Sequence, residues 1–184
     1  MKQIITIFLG VFTILVVSCK NEVQSKADSS AEKKPTELTQ INRSKQQVQP
    51  LTKAQFSAFF PEYLGSHKRY NVHVSAPEAM ATASYGDFKN TFNYSLVDGA
   101  KKKAVLKNFE TAYHSDLKGP EGTEYIKKER DGFRTIAFLQ PNIKRYTIEF
   151  IYKSRFRLFL EGSEHPDVLW SYIKKEDLQK LDSY

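Results

Sequence analysis

Hydrophobic and polar positions divide the chain into three stretches. Residues 4–17 (IITIFLGVFTILVV) form an unbroken apolar run, residues 20–50 carry only isolated aliphatics and no aromatic, and from Leu51 onward apolar side chains recur with regular periods. In that last stretch Phe56, Phe59 and Phe60 share a helical face, with Thr52 as the expected N-cap and Pro61 as the stop. Three extended segments follow, at about 68–75, 79–85 and 91–97; in the third, Phe92, Tyr94 and Leu96 alternate with Asn93 and Ser95. Val105, Leu106, Phe109, Ala112 and Tyr113 then return to helical spacing, until Gly119-Pro120-Glu121-Gly122 breaks it. Period two reappears over 124–129, 133–139, 145–152 and 156–160, punctuated by Asp131-Gly132, by Gln140-Pro141-Asn142 and by a tight turn near Lys153-Ser154. A final helix opens at Pro166, a residue suited to a first turn, and buries Leu169, Trp170 and Ile173, with Leu178 and Leu181 closing the chain.

This order of elements predicts an α+β domain over residues 51–184: an antiparallel sheet of about six to seven strands, one face wet and the other covered by helices. Residues 19–50, rich in Lys, Gln, Ser and Glu, bury too little apolar surface to offset chain entropy and read as a flexible tether. The run at 4–17 is shorter than the roughly 20 residues a bilayer-spanning helix needs, and with Met1 and Lys2 before it reads as the core of a cleavable leader, residues 1–18. The single cysteine, Cys19, excludes an internal disulfide, so the domain must rest on its hydrophobic core.

Leu15-Val16-Val17-Ser18-Cys19 resembles the lipobox of bacterial lipoproteins. The resemblance implies that Cys19 carries a diacylglyceryl group after cleavage behind Ser18, anchoring the chain in the cell envelope. Lys20, in place of an aspartate, resembles the pattern forwarded to the outer membrane, with the periplasmic or surface face left open. Phe59-Phe60-Pro61, Leu64-Gly65, Lys68-Arg69-Tyr70, Asp131-Gly132-Phe133 and Arg155–Gly162 ahead of a helix ending in Leu178 and Leu181 are together similar to a group of Bacteroidetes-type lipoproteins. That group shares the layout of the PsbP-like sandwich, which the periplasmic lipoprotein DcrB also shows. The resemblance spans most of 51–181 and rests on turns, core aromatics and strand ends, so it implies an α/β/α fold and accessory or docking work.

Candidate chemistry adds little to this picture. His67, His73, His114 and His165 form no HExxH pattern, and no second cysteine joins them, so neither metal nor cofactor is expected. Ser66 and Ser163 lack the setting of a nucleophile, and the pairs Glu129 with Asp131 and Glu161 with Glu164 read as surface and turn carboxylates. The net charge of +7 is spread out, with clusters at Lys101-Lys102-Lys103, Lys127-Lys128, Lys144-Arg145 and Lys153, Arg155, Arg157. The last three fall on one face if they lie on a strand, forming a basic contact stripe for an anionic surface. Export argues against nucleic acid as the partner. The expected function is therefore a non-enzymatic envelope module docking onto a protein partner, with a small-molecule or glycan-binding lipoprotein as the alternative.

Overall fold

The computed structural model describes residues 48–184; the leader, Cys19 and most of the tether lie outside the described residues. The first helix, α1 (Lys53–Phe59), begins at a reciprocal cap, in which the Thr52 hydroxyl accepts from the Gln55 amide at 3.3 Å and the Gln55 side chain accepts from the Thr52 amide at 2.7 Å. It ends where Phe60 turns extended ahead of Pro61. Its Phe56 and Phe59 are buried against β2 (His67–Ser75) and β3 (Met80–Gly86), where Ala81 and Ala83 leave room for the rings.

The sheet is built from two antiparallel meanders. Strands β1 (Tyr63–Leu64), β2, β3 and β4 (Thr91–Asp98) form the first, and β5 (Glu124–Arg130), β6 (Phe133–Gln140), β7 (Arg145–Tyr152) and β8 (Phe156–Gly162) the second. They join through β4 and β8, giving the order β1-β2-β3-β4-β8-β7-β6-β5 in a curled half-barrel. This is the expected α+β class with an antiparallel sheet, but eight strands replace the predicted six to seven. The addition is β1, only two residues long, which hairpins onto β2 through the positive-φ Gly65, where a side-chain carbon would press on the Tyr172 ring at 2.6 Å.

Strand alternation sorts the faces. Val72, Ala81, Ala83, Tyr85, Phe92, Tyr94, Leu96, Leu158, Leu160, Ile148 and Phe150 turn inward, where α1, α3 (Pro166–Tyr172) and α4 (Lys175–Gln179) cover them. The predicted single C-terminal helix is thus two: Ile173 turns extended, and the break lets Leu178 and Leu181 reach the same core as Leu169. On the outer face α2 (Lys103–His114) crosses β6, β7 and β8, burying Phe109. The outer face of β2, β3 and β4 is polar, with Thr82 bonded to Ser95 at 2.8 Å and Ser84 to Asn93 at 2.9 Å across strands. Among the described residues no helix is long and apolar enough to cross a membrane.

Candidate functional site

The most built-up polar corner lies where β4 ends, α2 begins and the β7–β8 turn closes. Asp98-Gly99 ends β4 as an Asx turn: Asp98 Oδ1 accepts from the Ala100 amide at 2.9 Å, which reverses the chain toward α2. Its other oxygen accepts from the Leu51 amide at 2.8 Å, fixing the start of the domain. Asp98 is 0% exposed, so its charge requires a partner. Arg155 supplies one, with Nε and Nη2 on the two carboxylate oxygens at 2.9 and 2.8 Å. The remaining donors of Arg155 reach the main-chain oxygens of Tyr184 at 2.6 Å and Gln49 at 2.8 Å. One guanidinium thus ties together the chain entering the domain, the end of β4, the β7–β8 turn and the last residues. Burial alone would raise the Asp98 carboxyl pKa; the hydrogen bonds from Arg155, Ala100 and Leu51 outweigh it and hold the group below its usual value.

Above this clamp opens a cleft of about 1100 Å³, lined by Val48, Gly99, Lys101, Lys103, Lys153 and Arg155 among others. Lys153 sits in the turn and pairs with Asp182 at 3.0 Å, while Asp182 also accepts from the Tyr152 hydroxyl at 2.6 Å. Burial and this carboxylate together push the Tyr152 phenol up to about 12. Lys101 and Lys103 are exposed, and among the described residues no carboxylate lies within 4.0 Å of either.

The three basic residues expected to share a strand face are therefore placed differently from one another. Lys153 lies in the turn, Arg155 folds onto buried Asp98, and only Arg157 projects from a strand, where it bonds Glu149 and leans over the Phe159 ring. Each is matched by its own carboxylate. Asp98 was legible only as a turn residue, because its partners lie 47 and 57 residues away. Cys19 lies outside the described residues.

The histidines are spread apart. His67 stacks on Phe92 at 4.1 Å, His73 faces outward six residues further along β2, His114 sits near Glu110, and His165 caps α3. Among the described residues no group of three or more His, Cys, Asp or Glu is placed to hold a metal ion. Trp170 gives its indole N–H to Asp131 at 2.8 Å and its ring to Phe150, joining the core instead of lining the cleft. Glu161 pairs with Arg145, and Ser163 donates to Asn90 at 2.6 Å.

Several large apolar side chains stand outside the core, among them Val48, Ile143 and Phe88, and of these Phe88 is the most exposed. Phe88, at the β3–β4 hairpin tip, is 93% exposed, and its ring packs against that of Tyr70, centroids 5.5 Å apart, beside the polar outer face.

Fold and site together define a class: an antiparallel α+β domain with a clamped entry point, a basic cleft beside it and a polar sheet face over β2, β3 and β4 that carries no helix among the described residues. No protein-family model, curated protein or solved structure matches the chain.

Proposed function

We propose that this chain is an envelope lipoprotein, anchored through a diacylglyceryl group on Cys19, whose folded domain is a non-enzymatic docking module for a protein partner. The proposal extends to the fold: a PsbP-like α/β/α layering, supported by helices on both faces of the sheet. The observation that carries the docking reading is Phe88. A phenyl ring left in water forgoes about 2 kcal/mol of burial free energy, and insertion into a partner recovers it. The neighbouring Ser, Thr and Asn side chains on β3 and β4 supply hydrogen-bonding groups suited to the polar rim of such a contact. The partner that fits is a protein with an apolar socket for Phe88 and a polar surround. The basic cleft, whose one aromatic lining residue is Tyr184, suits a stacked sugar less well.

Intact-mass analysis of protein from native membranes tests the anchor. The expected species begins at Cys19 with diacylglyceryl and acyl mass added; a chain retaining Met1, or an unmodified sulfur, refutes it. A photo-reactive residue in place of Phe88 tests the docking. One discrete protein adduct, together with loss of the same co-purifying protein in Phe88→Ala, is expected. If no adduct forms and a defined glycan or small molecule raises Tm, the ligand-binding alternative replaces this reading.

A further inference from the structure

The cleft beside Gln49 and Pro50 combines three features. The first is charge. Arg155 and Lys153 are matched by Asp98 and Asp182, whereas Lys101 and Lys103 on the same rim have no carboxylate within 4.0 Å among the described residues. The second is local preference. Helix α2 opens with Lys101-Lys102-Lys103, no side chain caps it, and no acidic residue lies in its first turn, although the positive end of a helix favours carboxylates and repels lysines. Departures of this kind without local compensation mark positions kept for function. The third is position. Val48, on the lip of the cleft, is joined in sequence through residues 20–47 to Cys19.

We propose that this corner faces the membrane and seats the domain on an anionic bilayer. Lys101 and Lys103 meet lipid phosphates, while Val48, Leu106 and Tyr184, which line the same cleft, sit at the headgroup boundary where aliphatic and tyrosine side chains are favoured. The inference rests on the lipid-anchor reading. Residues 20–47, even fully extended, reach no more than about 100 Å, so a Cys19 anchor confines the domain near the surface and a weak contact suffices to dock it. Each basic residue near such a surface strengthens binding roughly fivefold.

The chain's single tryptophan, Trp170, reads the docking directly. Full-length protein with its native N-terminus is reconstituted into phosphatidylcholine vesicles carrying a trace of dansyl lipid, with or without about 30% phosphatidylglycerol as the anionic lipid. Energy transfer from Trp170 to the dansyl groups is expected to rise with phosphatidylglycerol and to fall back at about 0.5 M salt. The double variant K101E/K103E is expected to lose this rise, with the docked-to-free ratio falling more than about tenfold. Glutamates at the start of α2 favour the helix, so unfolding would not account for the loss. The control K68E/K89E makes the same charge change on two exposed lysines away from the cleft and should keep the rise. Transfer indifferent to phosphatidylglycerol, a rise that survives K101E/K103E, or an equal loss in K68E/K89E overturns the proposal. Flotation of the same protein with purely neutral vesicles reports the anchor alone, so a missing lipid and a mistaken docking face give different results.

Discussion

The two hairpins of the second meander turn through the same backbone shape with opposite residue choices. Between β5 and β6, Asp131 and Gly132 take φ of 48° and 81°; between β7 and β8, Lys153 and Ser154 both take 49°. Positive φ at both central positions is the geometry that matches strand twist, and Asp-Gly accepts it at little cost. Lysine and serine pay roughly 1–2 kcal/mol each for it. Each turn also has an arginine beside it. Arg130 bonds Thr135 at 2.5 Å and an exposed Asp167 at 2.8 Å, and its Nε finds no partner. Arg155 has the fully buried Asp98, and all of its nitrogens are engaged. The contrast teaches that the β5–β6 turn takes residues suited to its shape, with the Trp170 indole on Asp131 in addition, whereas the β7–β8 turn depends on tertiary contacts. A corner secured in that way can carry residues that local preference would reject.

Removing the clamp should give the largest effect. Asp98→Ala leaves the Arg155 guanidinium without its carboxylate and the Leu51 and Ala100 amides without an acceptor, and is expected to cost about 3–5 kcal/mol of unfolding free energy, measured by urea denaturation. Asp167→Ala, at the other hairpin, removes a carboxylate that water partly screens but takes the charged partner from the buried Arg130, and should cost less, about 1–3 kcal/mol. Equal costs would break the comparison. Acid separates them as well. The Asp98 carboxyl lies below its unfolded value of about 3.9, so the stability it contributes is present above that pH and is lost as pH falls through the lower folded value. Asp98→Asn should therefore flatten the acid limb of a Tm against pH curve more than Asp167→Asn does, although the hydrogen bond from Arg130 lowers the Asp167 carboxyl in the same direction.

Next in size is Gly132→Ala. A side-chain carbon there would meet nothing within 4 Å, so the left-handed backbone, about 1–2 kcal/mol, is opposed only by the roughly 0.5–1 kcal/mol that alanine gains by restricting the unfolded chain, and the net cost is about 1 kcal/mol. A neutral result would mean that the β5–β6 turn is held from outside like its counterpart.

How much of this was readable beforehand follows the range of the interactions. The α1 cap at Thr52, the period-two strands, Pro166 at a helix start and the Asp131-Gly132 turn are set by neighbours a few residues apart, and the structure has each where pattern placed it. Strand β1 was not readable. Two residues carry no period, and the hairpin is held by Gly65 and by the Arg69 amide on the Glu62 oxygen at 2.8 Å. The break at Ile173 is equally nonlocal, since it serves the burial of Leu178 and Leu181. The basic stripe is the instructive case. Alternate positions were expected to share a face, but the turn extends through Arg155, and a carboxylate 57 residues away draws that side chain out of line. Lys101 and Lys103 were legible as charges but not as neighbours of Arg155 on one cleft, because that depends on which segments the fold brings together.

The smallest expected effect is the sharpest test of the β7–β8 turn. Ser154→Gly relieves a left-handed residue, worth about 1–2 kcal/mol. It also gives the unfolded chain the freedom of glycine, which takes back roughly 0.5–1 kcal/mol. The net should be a stabilisation of about 0.5–1 kcal/mol, read as a small rise in Tm. The gain depends on the clamp still fixing the turn. In an Asp98→Ala background the Arg155 side chain no longer ties the turn to β4 and only the Gly99 amide on the Arg155 oxygen, at 2.8 Å, remains, so the loop relaxes more readily out of the left-handed region and the same substitution should stabilise less. A double-mutant cycle between positions 98 and 154 measures that difference. If the gain is the same with and without Asp98, the strain is relieved locally, and the corner is not held open to unfavourable residues by its buried ion pair.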